Sequence, residues 1–227
     1  MPSRLPMAQL TGVAVVAAWL AVVVSTALLV RQRWPDQREW SRKVVHIGTG
    51  PVILLAWWLQ INRTVALPAA ALVTLITALN HRLRLLPAVE DVGRHSYGTV
   101  AYGGSITVLL ALHWPQQPWP VAAGVLVMAT GDGLAGLVGP LVPSPRWRVL
   151  GQGKSLAGTA CMALVSLAVL VALAALAGAS GHAAPPLLAL ALIAAAATAL
   201  EQLSGWGIDN LTVPLGTALL WQRLLSA

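Results

Sequence analysis

An all-α integral membrane protein, a polytopic bundle of seven to eight transmembrane helices joined by short loops, is the fold class predicted by three features of this 227-residue sequence. Hydrophobic residues make up 57% of the chain and charged residues only 9%, a profile that marks integral membrane proteins. The apolar residues fall in long runs. The basic residues fall between those runs, mostly in three loops. A chain of this length holds seven or eight spans and little else, so a single membrane domain over 1–227 is expected.

Eight apolar segments, about 8–30, 44–60, 64–80, 97–113, 119–141, 156–179, 184–203 and 209–224, approach the roughly 17–25 residues that a spanning helix needs. The last is the shortest. The first is too long for a signal-peptide core and lacks a small-residue cleavage site before "RQRW", so it is expected to stay in the mature protein. Only a few residues precede it, leaving no room for an organelle transit peptide, and a bacterial cell membrane is the expected location. Nine of the ten tryptophans, all but Trp19, lie near span ends, where interfacial belts form. Cys161 is the only cysteine, which excludes an internal disulfide.

Orientation follows from the basic residues. Loops 31–43, 81–96 and 142–155 hold Arg31, Arg33, Arg38, Arg42, Lys43, Arg82, Arg84, Arg94, Arg146, Arg148 and Lys154, eleven of the fourteen. Alternate spans put all three loops on one side, which is then cytoplasmic, with both termini outside. The net charge of +7 is therefore a topology signal, reinforced by anionic membrane lipids, and predicts no nucleic-acid partner.

The acids are not bound by the positive-inside rule, yet all seven fall in cytoplasmic loops or the cytoplasmic halves of spans. A transporter more often places ionisable groups near the midplane, so one-sided clustering favours a site at the cytosolic interface. Asp132, in "MATGDGLAGLVG", is thirteen residues beyond Trp119, roughly 20 Å along a helix and inside the cytoplasmic leaflet. A carboxylate there is a functional candidate, or else the partner of an arginine, with Gly133, Gly136 and Gly139 serving helix packing. If Asp132 binds a metal, Asp132→Asn removes a costly intramembrane charge and is expected to spare stability; if Asp132 only pairs with a basic residue, the same change is expected to lower it. Glu201 and Asp209 flank a glycine-containing break, "QLSGWGI"; Asp209 and Asn210 also read as an ordinary helix start. In "SRKVVHIGTGP", Arg42 and Lys43 read as interface anchors with His46 one turn further in, or as groups that approach a phosphoryl.

The stretch "GQGKSLAGTA" ends like a phosphate-binding P-loop, but the glycine that motif requires five residues earlier is Arg148, and no buried strand precedes it. A membrane-interface site is the alternative. Ser155 is placed to cap a span beginning at Leu156, so the N–H groups of its first turn point at the cytoplasmic interface as an anion site. Lys154, the Thr159 hydroxyl, glycines 151, 153 and 158, and carboxylates able to hold Mg²⁺ complete a set suited to a nucleoside triphosphate.

Four blocks in order, "RKVVHIGTG", "GDGLAGLVG", "GKSLAGTA" and "DNLTVPL", resemble the polyprenol kinase family that includes phytol kinase and dolichol kinase, over most of the sequence after the first span. The resemblance implies transfer of the terminal phosphoryl group of a nucleoside triphosphate, usually CTP, to an isoprenoid alcohol held among membrane lipids. It carries Asp132, Lys154, Ser155, Gly158, Thr159, Asp209 and Asn210 onto motif positions, with Asp132 and Asp209 as Mg²⁺ ligands or one of them as the base. Arg42, Lys43, His46 and Glu201 are further phosphate-side candidates. Where many relatives carry Glu in the third block, this chain has Ala157. CTP-dependent diacylglycerol kinases and CDP-diacylglycerol synthases are similar at this level and stand as the alternatives.

Overall fold

The computed structural model describes residues 4–83 and 97–226; the expected basic positions Arg84 and Arg94 lie outside them. Chain order runs α1 (Arg4–Arg33), α2 (Arg38–Thr49), α3 (Val52–Trp58), α4 (Arg63–Leu83), α5 (Gly98–His113) and α6 (Pro118–Leu126). A π-helical segment, Val127–Asp132, joins α6 to α7 (Gly133–Leu141). Then come strands β1 (Arg146–Val149) and β2 (Gln152–Ser155), α8 (Leu156–Ala179), α9 (Leu187–Gln202) and α10 (Asp209–Arg223), closed by a 3₁₀ turn at Leu224–Ser226.

Four helices among the described residues are long and apolar enough to cross a membrane: Met7–Arg33, Arg63–Leu83, Pro118–Leu141 and Leu156–Ala179. Gly98–His113 and Leu187–Gln202 are apolar but shorter. The expected segment 44–60 is not one helix. It breaks at Gly50–Pro51 into α2, which starts earlier in the sequence, and the seven-residue α3. Proline lacks an N–H to continue the ladder, and the glycine ahead of it sits so close to Ala129 that a Cβ there would approach to 2.6 Å.

The Pro118–Leu141 helix is the core. Of its most apolar window 67% is buried, against 11% for the first helix and 6% for α4, which face outward. Val121, Val125, Val127 and Met128 are fully buried, in one core cluster with Met162 of α8, Ile193 of α9 and Trp221 of α10. The belt expected of the tryptophans holds only in part. Trp114, Trp119 and Trp221 are core residues: Trp114 donates to the Ile61 carbonyl at 2.9 Å, and Trp119 packs against Trp57 with ring centroids 4.8 Å apart and planes tilted by 58°.

Helices approach one another through glycines. A Cβ on Gly124 would lie 2.4 Å from the Pro214 carbonyl oxygen of α10. Gly133, Gly136 and Gly139 share one stripe, as their spacing of three predicts, and meet Ile47, Lys43 and Ser155 in turn.

An all-helical chain did not prepare for the antiparallel β1–β2 hairpin, which pairs Arg146 with Ser155 and Trp147 with Lys154. Its two-residue turn places Leu150 at φ 48° and Gly151 at φ 78°, the positive values that a type I′ turn demands at both central positions. The strands are four residues each and carry Arg, Lys and Gly rather than an apolar run, so no hydrophobic pattern announced them.

Replacing Gly124 by Ala forces a methyl into the Pro214 backbone, an overpacking cost of about 1–3 kcal/mol. Gly104, on the open side of α5, has nothing within 4 Å of its would-be Cβ. Thermal melts in detergent should show Gly124→Ala lowered by several degrees and Gly104→Ala unchanged or raised, since alanine favours the helix by roughly 1 kcal/mol.

Candidate functional site

The site gathers at one end of the central helix, where three backbone irregularities converge. The first is the π segment, which ends on Asp132 and leaves the Met128 carbonyl to accept from His46 Nε2 at 3.2 Å. The second is the loop between α9 and α10, where Trp206 at φ 53° and Gly207 at φ 86° reverse the chain. Glu201, in the last turn of α9, and Asp209, in the first turn of α10, thereby face the same space. The third is the hairpin, whose second strand delivers Lys154.

Asp132, Glu201 and Asp209 each present a carboxylate oxygen within 4.8 Å of the other two. Such a cluster of like charges requires cations, and two ammoniums supply them. Lys43 Nζ lies 2.7 Å from Asp132 Oδ2 and 3.1 Å from the Asp132 carbonyl. Lys154 Nζ pairs with Glu201 Oε1 and donates to the Glu201 carbonyl at 2.8 Å. Asn210 donates to Asp209 Oδ1 from both its backbone N–H and its side-chain amide, each at 3.1 Å. His46 Nε2 is also 3.4 Å from Asp132 Oδ2. With two acceptors in front of Nε2, that nitrogen carries the proton, so His46 orients Asp132 and does not compete with it as a base.

Around the cluster opens a cavity of about 620 Å³, within the range of small-ligand sites. Its charged lining sets Arg42, Lys43, Arg146, Arg148 and Lys154 against Glu39, Asp132, Glu201 and Asp209, five cations against four carboxylates. Arg42 is held at the rim by Glu39, 2.8 Å from Oε2.

Most expected residues meet here, with changed roles for some. Glu201, expected as a phosphate-side candidate, is buried and is the third member of the carboxylate cluster. Ser155 caps α8 as expected, accepting from Gly158 N at 3.1 Å, and donates to the Gly139 carbonyl at 3.3 Å. Thr159 also lines the cavity, its hydroxyl donating back to the Ser155 carbonyl at 2.9 Å. Gly158 is a packing glycine, where a Cβ would be 3.3 Å from the Ala135 carbonyl.

One expectation fails. The first N–H groups of α8 do not form an anion site, because Leu156 N donates to the Pro145 carbonyl, Ala157 N to Ser144 Oγ and Gly158 N to Ser155 Oγ. The loop ahead of the hairpin folds over the helix start and satisfies it. Positive charge in the cavity comes from side chains instead. Arg146, Arg148 and Gln152 on the hairpin were read only as loop residues. The alternation "RWRV" before a turn was the available signal, and it was too short to act on.

Compared with known proteins, the chain is 44% identical over 220 residues to the phytol kinase of Synechocystis sp., covering 96% of this chain and 93% of that one. It is 28% identical over 225 residues to the chloroplastic phytol kinase 1 of Arabidopsis thaliana, covering 91% and 73%. Against the probable chloroplastic phytol kinase 1 of Glycine max the identity is 30% over 199 residues, covering 80% and 65%. No family model and no solved structure matches it.

The Lys43 pairing favours the second outcome expected of Asp132→Asn, a loss of stability. Asp132 is not a lone intramembrane charge, so the amide strands an ammonium whose side chain is only 6% exposed. Breaking such a buried pair costs about 3–5 kcal/mol. Asp132→Asn should therefore melt lower in detergent, and Asp132→Asn combined with Lys43→Met should recover part of that loss. An unchanged melting temperature for the single variant would mean that the pair does not hold the two helices.

Proposed function

The chain belongs to the phytol kinase family, and from that premise we propose that it is a membrane-embedded kinase that transfers the terminal phosphoryl group of CTP to an isoprenoid alcohol such as phytol, with Mg²⁺ as cofactor. The observation that carries the reading is the trio Asp132, Glu201 and Asp209, with oxygens within 4.8 Å of one another at the floor of a cation-lined cavity. Three carboxylates in one small space suit a hard divalent cation, and the surrounding arginines and lysines suit a polyphosphate.

Asp132, Glu201 and Asp209 would hold the Mg²⁺, whose charge offsets that of the phosphate oxygens during transfer. Lys43 and Lys154 donate to the phosphates, with Arg42, Arg146 and Arg148 at the rim drawing the anion in. In the transfer, the alcohol oxygen bonds to the terminal phosphorus as the bond to the bridging oxygen breaks, and CDP leaves. The alcohol's proton passes to a carboxylate of the trio. His46 keeps Asp132 oriented through its N–H, and Asn210 does the same for Asp209. Removal of water and alignment of the two oxygens supply most of the acceleration.

The isoprenoid chain lies among apolar helices while its hydroxyl reaches the cavity. In this reading the chain crosses the membrane eight times, with α2 and α3 together forming the second crossing, so that the cavity would face the cytoplasm of a bacterial cell and both termini would lie outside. The grouping of Arg42, Lys43, Arg146, Arg148 and Lys154 at one mouth supports this orientation.

With purified protein, Mg²⁺, phytol and CTP labelled separately at the α and γ phosphates, the γ label should enter the lipid and CDP should be released. Entry of the α label with release of pyrophosphate would make the enzyme a cytidylyltransferase. For topology, cysteines at Gln37 and Pro143 in a Cys161→Ala background should be shielded from an impermeant thiol reagent in intact cells, whereas one at Gln117 should react. Labelling of the first two from outside would invert the orientation.

A further inference from the structure

A lysine beside a membrane-facing helix ordinarily stretches its ammonium toward water and rests only its stem on apolar surface. Lys43 does the opposite. Its side chain turns inward, 6% exposed, and ends between Asp132 Oδ2 and the Asp132 carbonyl. The route exists because position 136 has no side chain: a Cβ there would stand 2.5 Å from Lys43 Cε and 2.7 Å from Nζ. Gly136 is thus a slot cut for the end of this lysine, not merely a crossing point between two helix backbones.

Lys154 mirrors the arrangement on Glu201, gripping both its carboxylate and its carbonyl. Two of the three clustered carboxylates therefore already hold an ammonium. Three negative charges against two positive ones leave the ligand-free cluster with a formal charge of −1, which keeps it intact without any ion. The same ammoniums lie on the oxygens that a divalent cation would use.

We propose that Lys43 is the resident counter-ion of the carboxylate trio, and that a divalent metal displaces its ammonium from Asp132 into the cavity, where it becomes a phosphate ligand. The inference rests on the metal-dependent reading above and adds to it a coupling between the two ligands. A metal alone must compete with a buried ammonium and binds weakly. A polyphosphate alone finds Lys43 occupied by Asp132. Together each releases what the other needs, and the resulting increase in affinity is mutual. Arg42, next to it on α2, does not take this part, being paired with Glu39 at the rim.

The test uses the full-length protein in detergent and Mn²⁺ alone, followed by the loss of the free-ion electron paramagnetic resonance signal, so that neither turnover nor nucleotide enters the readout. Lys43→Met removes the competing charge. Gly136→Ala keeps every charge but pushes the flexible end of Lys43 away from Asp132 by filling the slot. Both variants should bind Mn²⁺ more tightly than the wild type, by at least about 10-fold, a modest share of what one unit charge at 4 Å is worth near a protein surface. A lysine with a merely structural role predicts weaker binding or none on its removal. Equal or weaker Mn²⁺ affinity in Gly136→Ala overturns the proposal, and this variant decides the matter if Lys43→Met does not fold. If the wild type and both variants bind no Mn²⁺ at all, the metal reading of the trio falls as well; equal binding by all three leaves that reading standing and removes only the counter-ion role.

Discussion

Three carboxylates held within 4.8 Å of one another are the constraint on which the rest of this structure depends. Brought together without cations they would repel strongly in a low-dielectric surround. Each irregular feature nearby resolves some part of that problem. The α2 helix begins before its apolar stretch so that Lys43 and His46, three residues apart on one face, both reach Asp132. The hairpin turns back so that Lys154 reaches Glu201. Asn210 sits beside Asp209 with two donors on one oxygen.

Breaks in helical regularity concentrate around this cluster for the same reason. A straight helix presents side chains in a fixed screw, and convergence of five chain segments on one point needs departures from it. The π segment supplies one just before Asp132, and the left-handed residues Trp206 and Gly207 supply another between Glu201 and Asp209. Further along the central helix, Gly124 meets the Pro214 carbonyl of α10 across a crossing too tight for any side chain.

Much of this was legible from residue order. The span 156–179 matches α8 to the residue, Ser155 is its cap, and the glycine spacing after Asp132 does mark a packing stripe. Asp132 and Asp209 stood out as carboxylates in or beside apolar runs, Lys154 through its Gly-Lys-Ser turn, and Asn210 through its place at a helix start. What escaped notice depended on partners distant in sequence. Nothing local to Glu201 or Lys154 tells that they are paired, since 47 positions separate them. The hairpin's alternation was too short to mark a strand, and the donors of Leu156 and Ala157 looked free because their acceptors, Pro145 and Ser144, lie across the hairpin.

The unequal burial of the helices implies two different kinds of tolerance to mutational drift. On α1 and α4, with only 11% and 6% of their apolar windows covered, a residue is answerable mainly to the lipid, and one aliphatic side chain serves as well as another. Along Pro118–Leu141 shape is constrained atom by atom, by Pro214 at one glycine and by the end of a lysine at another. Substitutions that preserve hydropathy should therefore accumulate freely on the outer helices, while the central one admits few even among residues of equal polarity. Hydropathy alone would not separate them, since the central helix, at a mean hydropathy of 1.8, falls between the two outer ones at 2.6 and 1.5.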